Sequence, residues 1–366
     1  MNHPTVRFSR KDPKQFFQTI RQRVNNYFEE NQIEKTGNAQ MYWKTVVMFS
    51  LYLIPFFVLM AIVPSTLISV LLYIAMGIGV AGIGLSVMHD ANHGSYSKHK
   101  WVNNLVSYSM NLIGANSFTW KIQHNVLHHS YTNIYELDED IDDKPFLRLS
   151  PYGKYKKYHK FQHYYAFLLY TLATISWVVQ KDFKQLVLYK NTGIAKQNGF
   201  SITKELIIMV GSKVGYFAYL IGLPILAGIP VWLAILGFFI THGVAGLMIT
   251  TIFQLAHVVE GPDHFTPDPS GTMNNIWAVH QLKTTANFSR KNKFLTWFVG
   301  GLNHQVEHHL FPNICHVHYS KISEIVKKTA TEFDLPYYEY DKFSQAVASH
   351  LRVLKSFGAS PIVKAA

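Results

Sequence analysis

Leu302-Asn303-His304-Gln305-Val306-Glu307-His308-His309-Leu310-Phe311-Pro312 is the most chemically dense stretch of the chain. Two others share its logic: His89-Asp90-Ala91-Asn92-His93 and His124-Asn125-Val126-Leu127-His128-His129. On an α-helix, residues four apart differ by about 40° in azimuth and about 6 Å in rise. The imidazoles of His89 and His93 can therefore reach one point beside the helix. Adjacent residues sit about 100° apart, so His128 and His129 are expected to serve different ions, as are His308 and His309. A helix bearing H-x-x-x-H-H suits two neighbouring metals better than one. The spacing predicts a two-metal site with nitrogen ligands.

The surroundings of these boxes are apolar. Of 366 residues 48% are hydrophobic and 15% charged, a balance that points to a membrane protein. The one cysteine, Cys315, excludes an intramolecular disulfide framework and any cysteine-based zinc or iron–sulfur site. Residues 1–44 are polar and basic without an early apolar core, which argues against a cleavable signal peptide. Within them a helix is expected from Asp12 to Glu30, with Asp12 as N-cap, Pro13 at its first position, and Phe16, Phe17 and Ile20 as one apolar patch.

Val46 to Val63 and Thr66 to Met88 carry no charge, and each is long enough to cross a hydrocarbon layer of about 30 Å. The short link between them dictates a tight helical hairpin. Leu206 to Gly228, broken only by Lys213, and Val231 to Ala256 repeat the pattern. Tyr164 to Gln180 is apolar but short, and is expected to lie in the interface, leaving four crossings. Except for Lys213, the lysines and arginines fall outside the spans and their two tips. That asymmetry places the termini and every histidine box on the cytoplasmic side. It also assigns the net charge of +12 to anionic headgroups or an acidic carrier rather than to nucleic acid. Tyr319 to Thr331 is expected to form an amphipathic surface helix. In chain order the division is a cytoplasmic segment over 1–44, a membrane domain over 45–335 and a tail over 336–366.

Seven of the 19 histidines lie at ligand spacing: His89, His93, His124, His128, His129, His308 and His309. Imidazole suits zinc, copper, iron and nickel. A zinc protease needs Glu directly after the first His of its pair, where this chain has Asp90 and Asn125. So many nitrogens exceed what one tetrahedral zinc takes. Two redox-active irons fit better, able to bind and reduce dioxygen and so attack an unactivated C–H bond. Asn133, Asp138 (in the acidic run 136–143) and Glu307 are candidates for buttressing ligating imidazoles. Trp120 and Trp277 are candidates for lining the substrate's site, with interface anchoring as the other reading.

The three boxes resemble those of the membrane fatty acid desaturases, and the third, Gln305/His308/His309, resembles the front-end subgroup. Tyr131-Thr132-Asn133 and Leu310-Phe311-Pro312 extend the likeness, which covers roughly residues 45 to 335. The resemblance implies an all-α integral membrane fold with four transmembrane helices as two hairpins under a cytoplasmic helical cap. It implies two non-haem iron ions, a long-chain acyl substrate held in a tunnel, and a cis double bond made with dioxygen and two electrons. By the resemblance His257 is the extra ligand between boxes two and three. His280 matches less clearly, as ligand or as a residue behind one. His304 departs from the pattern: it could replace Gln305, which could instead meet iron directly, through water, or not at all. No His-Pro-Gly-Gly motif of a fused haem domain occurs, so the electrons are expected from a separate donor such as a ferredoxin or a cytochrome b5-type protein. The competing readings are a diiron acyl or sphingolipid hydroxylase and, from another class, a zinc membrane hydrolase.

Overall fold

A computed structural model describes residues 6–12, 15–142, 144–268 and 270–359. The chain is mainly helical, with shorter helical pieces between the principal elements. These are α1 (Phe16–Glu30), α2 (Ala39–Ile62), α3 (Thr66–Asn92), α4 (Ile202–Leu226), α5 (Val231–His257), α6 (Trp277–Thr284), α7 (Gln305–Leu310), α8 (Tyr319–Glu332) and α9 (Phe343–Ala359). Four short strands, β1 (Arg7–Phe8), β2 (Thr272–Met273), β3 (Ala286–Phe288) and β4 (Tyr338–Tyr340), pair in parallel as β1–β2 and β3–β4.

The four apolar runs become α2, α3, α4 and α5, the four helices among the described residues long and apolar enough to cross a membrane. All four begin or end beyond the apolar run because a helix does not stop where charge appears. It stops where a cap or a breaker intervenes. The Asn38 side chain caps α2 by accepting from the Gln40 and Met41 amides, at 3.0 and 3.4 Å. The run 164–180 is broken at Thr171 and Leu172 into short helices (Gln162–Tyr170 and Ala173–Ser176) and is not among the four.

The described residues form two compact units whose segments interleave. The first takes Asn38–Ile122 and Phe167–Thr251; the second takes the chain up to Gly37, Gln123–Ala166 and the chain from Ile252. In the first, α2 and α3 pack at backbone distance. A Cβ on Gly79 would lie 2.7 Å from the Tyr52 amide nitrogen, and one on Gly77 would lie 2.7 Å from the Thr241 carbonyl oxygen of α5. Small residues let apolar helices approach this closely where lipid offers no hydrophobic drive. Gly79→Val therefore wedges backbone against backbone. We predict a loss of about 1–3 kcal/mol, read as a lowered melting temperature in detergent, whereas Gly211→Ala, at a site open within 4 Å, should leave it unchanged.

In the second unit, Phe16, Ile20, Val24 and Phe28 form one stripe of α1 and bury against Ile322, Val326 and Ala330 of α8. Each fully buried large apolar side chain contributes roughly 1.5–3 kcal/mol. Ala278 and Leu282 of α6 and Val306 and Leu310 of α7 join the same core, so the box-three helix is seated on it. The Asp12 carboxylate accepts the amides of Phe16 (3.0 Å) and Phe17 (2.9 Å), so it does cap, although α1 starts later than Asp12 predicts. Pro13 lies outside the described residues, as does Asp143 of the acidic run. Segment 336–340 is tied by β4 to β3, with Asn287 opposite Glu339.

Candidate metal centre

The second box is not α-helical throughout. Lys121–His128 winds as a π-helix and passes into a short α-helical turn, His129–Tyr131. A π turn bonds i to i+5, so His124 and His129 share a side, where an α-helix would set them about 140° apart. Their Nε2 atoms lie 3.2 Å apart. His308 from α7 brings its Nε2 to 2.9 Å from that of His129. Nitrogens bound about 2.1 Å from one ion at right angles lie about 3 Å apart, and the spacing around His129 matches. A hydrogen bond needs one donor and one acceptor, so three imidazole Nε2 atoms in sequence make a poor hydrogen-bond chain and a good ligand set.

Among the described residues, two of the groups of close ring nitrogens overlap at His309. Ring nitrogens of His128, His257 and His309 lie within 4.8 Å of one another, and so do those of His129, His308 and His309. His128 and His129 thus head different groups, as their azimuths predict. His308 and His309 share one, against the expectation that they would not; His309 belongs to both. The far side of four of these five rings is held. His128 Nδ1 meets both oxygens of Asp138, at 3.1 and 3.0 Å. His257 Nδ1 meets the Thr284 carbonyl at 3.1 Å, His309 Nδ1 meets Gln281 Oε1 at 2.9 Å, and His308 Nδ1 meets the Tyr319 hydroxyl at 3.2 Å. The buried Nε2 atoms of His128 and His257 have no hydrogen-bond partner. Imidazoles tethered through Nδ1 with Nε2 aimed inward are what metal-ligating histidines look like, and the donor set fits a metal.

The fatty acid desaturase family model matches residues 64–341. An sn-1 linoleoyl-lipid 6-desaturase of Synechocystis sp. is 36% identical over 96% of this chain and 98% of that protein. A protein of the same description from Arthrospira platensis is 34% identical over 96% of this chain and 94% of its own length. An acyl-lipid (8-3)-desaturase of Physcomitrium patens is 34% identical over 97% of this chain and 74% of that protein. The chain belongs to the fatty acid desaturase family. It is an oxidoreductase, a fatty acyl desaturase, with four membrane-spanning candidates and histidine clusters able to bind metal.

One face of α6 organises the desaturase's clusters. Trp277, His280, Gln281 and Thr284 stand at i, i+3, i+4 and i+7, a single helical stripe. Trp277 Nε1 donates to the His129 carbonyl (2.9 Å), and so does Gln281 Nε2 (3.2 Å). His280 Nε2 donates to the Thr132 carbonyl (2.7 Å). The Thr284 carbonyl takes His257. His280 thus serves as a strut packed against Phe8 and Phe265, and it joins neither group; burial lowers it to about 4, so it is neutral. Trp277 also packs edge-on to Phe17.

Asn133 takes a left-handed conformation (φ 56°) that Asn tolerates. Its Nδ2 donates to the carbonyls of His257 and Asp263, both at 3.1 Å, and its amide donates to Asp138 at 2.9 Å. Asp138 is fully buried. Burial alone would lower His128, but the Asp138 charge and hydrogen bond, with Asp140 at 3.5 Å, raise it. Burial works to raise Asp138 too, yet His128 and two backbone amides hold it below the usual carboxylate range.

Around box three, Gln305 is buried with neither side-chain atom hydrogen-bonded, consistent with a role toward a ligand. His304 joins neither group; its Nε2 lies 3.4 Å from Ser320 Oγ, and burial with the Arg290 charge lowers it to about 3. Glu307 Oε2 lies 3.8 Å from His304 Nδ1. It accepts from Asn287 (2.9 Å) and Tyr337 (3.0 Å), and burial raises it to about 7 against those bonds and the Arg290 charge. In the first unit His89 and His93 lie with ring centroids 4.8 Å apart, as the i,i+4 spacing predicts. Trp120 stands edge-on to both, at 5.5 and 5.7 Å, among Met88, Met110 and Ala115. Gln281, Thr132 and Tyr319 were not among the sequence candidates. Gln281 and Thr132 fall beside residues that were, and for Gln281 the stripe pattern of α6 was an available signal.

Proposed function

We propose that this desaturase places a cis double bond at carbon 6, counted from the carboxyl end, of linoleoyl chains esterified at sn-1 of a membrane lipid. The observation that carries the reading is the end-to-end match to two proteins so described, in a chain whose histidines cluster with their Nδ1 atoms tethered. His89, His93, His124, His128, His129, His257, His308 and His309 would hold two non-haem irons, with Gln305 beside them. A pair of irons supplies dioxygen reduction coupled to removal of two hydrogens from neighbouring CH2 groups, two electrons from outside and two protons completing two waters.

The protein's own part is orientation and exclusion of water. Asp138, Gln281, Tyr319 and the Thr284 carbonyl fix ring directions, and Trp120 with Met88 and Met110 offers an apolar wall for the chain beside box one. The basic loops support a cytoplasmic side for the termini and boxes; on this reading residues 45–335 would carry catalysis and a separate ferredoxin or cytochrome b5-type protein would deliver the electrons. The zinc hydrolase reading does not fit membership of an oxidoreductase family; the hydroxylase remains distinguishable by product mass.

Expression in a host that makes linoleoyl lipids but no 6-desaturated acids should yield a product with three double bonds, the new one at carbon 6, enriched at sn-1. Double-bond mapping by mass spectrometry after positional hydrolysis reads this. A hydroxy acid, or a new bond at carbon 5 or 8, would overturn the assignment.

A further inference from the structure

The hydrogen bonds of Gln281 decide more than the place of His309. The side chain is fully buried and sits between the second and third boxes. One end of its amide is 3.2 Å from the His129 carbonyl oxygen, which can only accept. That end must therefore be the NH2 group. The other end, Oε1, is then obliged to face His309 Nδ1 at 2.9 Å. An amide oxygen can only accept, so Nδ1 must carry the ring's proton, and the lone pair of His309 is left on Nε2. The reversed amide would present NH2 to Nδ1 and force the proton onto Nε2, where it would block a metal. It would also set the amide oxygen against the His129 carbonyl. Thr132 braces the arrangement: its hydroxyl lies 2.9 Å from Oε1 and 2.7 Å from the His128 carbonyl. Trp277 donates to the same His129 carbonyl from one turn away on α6.

We infer that Gln281 is a positioning residue that selects the Nδ1–H tautomer of His309 and so presents Nε2 to both histidine groups. His309 belongs to both groups, so its tautomer would bear on both. The inference rests on the reading of His309 as a ligand.

The test uses the full chain purified in detergent, stripped of metal and titrated with Co2+, whose visible absorption reports ligand number and geometry. Gln281→Met keeps size and apolar packing but offers no acceptor. It should weaken Co2+ binding by about 10–100-fold and alter the absorption bands, with the melting temperature of the metal-free protein close to wild type. Gln281→Glu restores an acceptor facing Nδ1 and, as the neutral acid, a donor to the His129 carbonyl, and should recover most of the Co2+ affinity. If Gln281→Met does not fold, Gln281→Asn, which withdraws the same amide by one methylene, is to show the same weakening. His309→Ala is the control that separates the two readings. Wild-type Co2+ binding by His309→Ala would overturn the ligand assignment itself. Loss of binding in His309→Ala together with wild-type affinity and spectrum in Gln281→Met would overturn the tautomer inference alone.

Discussion

Replacing His128 by Ala should eliminate unsaturated product, at least 100-fold by the scale of lost active-site groups, and with it much of the bound iron. His128 has one nitrogen in a group with His257 and His309 and the other against both oxygens of Asp138. Truncation removes a donor and also leaves the Asp138 carboxylate buried without its cation or donor. Asp138→Asn separates these effects. Asparagine can still accept from Nδ1, but without a charge to favour the ring, and second-row carboxylates of this kind are worth about 10–100-fold in metal affinity. The expected order is wild type above Asp138→Asn above His128→Ala, in both iron per chain and product by gas chromatography. Full iron and product in His128→Ala would remove His128 from the site. Equal defects in the two variants would mean that Asp138 acts by holding the 133–140 turn, through the Asn133 and Asp140 amides it accepts, more than through the ring.

What could be read from the residues alone depended on whether a local rule governed them. The four long helices were legible because an uncharged run of that length has few other fates, and hydropathy is a property of each segment by itself. His89 and His93 were legible because i,i+4 holds on any α-helix. The meeting of His124 with His129 was not: it requires a π turn, and nothing in Lys121–His128 announces one, since a single inserted step in the hydrogen-bond ladder leaves no mark in composition. Asp138 could be named because buried carboxylates pair with imidazoles, but its neighbours in the acidic run could not be ranked against it. Gln281 was overlooked for a different reason. Its stripe of Trp277, His280 and Thr284 is regular enough to see, yet its meaning depends on which carbonyls arrive from 129 and 132. The interleaving of the two units escaped for the same reason, since the second unit is joined by pairing between distant segments, β1 with β2 and Ile134 with Phe265.

Lys213→Met should be the most destabilising single change outside the histidine clusters. Lys213 is the ionised residue that interrupts the apolar part of α4, and it is buried. Its ammonium donates to the Asp182 carboxylate at 2.8 Å and to the carbonyls of Gly114, Trp177 and Val178 at 3.0, 3.1 and 2.9 Å. Asp182 also accepts from Thr119 at 2.7 Å. A methionine fills the volume but leaves one carboxylate and three carbonyls without their donor in apolar surroundings, a loss of about 3–5 kcal/mol. The pH dependence has a definite sign. Burial raises the Asp182 carboxyl and Lys213 opposes the rise, so without Lys213 the folded-state value climbs further. A carboxyl raised in the folded state destabilises the fold once pH exceeds its unfolded value, and that penalty is relieved as the group takes up its proton. The melting temperature of Lys213→Met in detergent should therefore approach wild type as the pH is lowered from neutral. Adding Asp182→Leu should recover part of the loss at neutral pH, because an apolar pair avoids the buried charge altogether. Thr119 precedes Trp120, which stands against His89 and His93, so the same lesion should loosen the wall beside box one and lower activity in protein that is still folded. A wild-type melting temperature for Lys213→Met at neutral pH would mean that the ammonium reaches water or lipid headgroups, and that the 177–182 segment is held to α4 by packing alone.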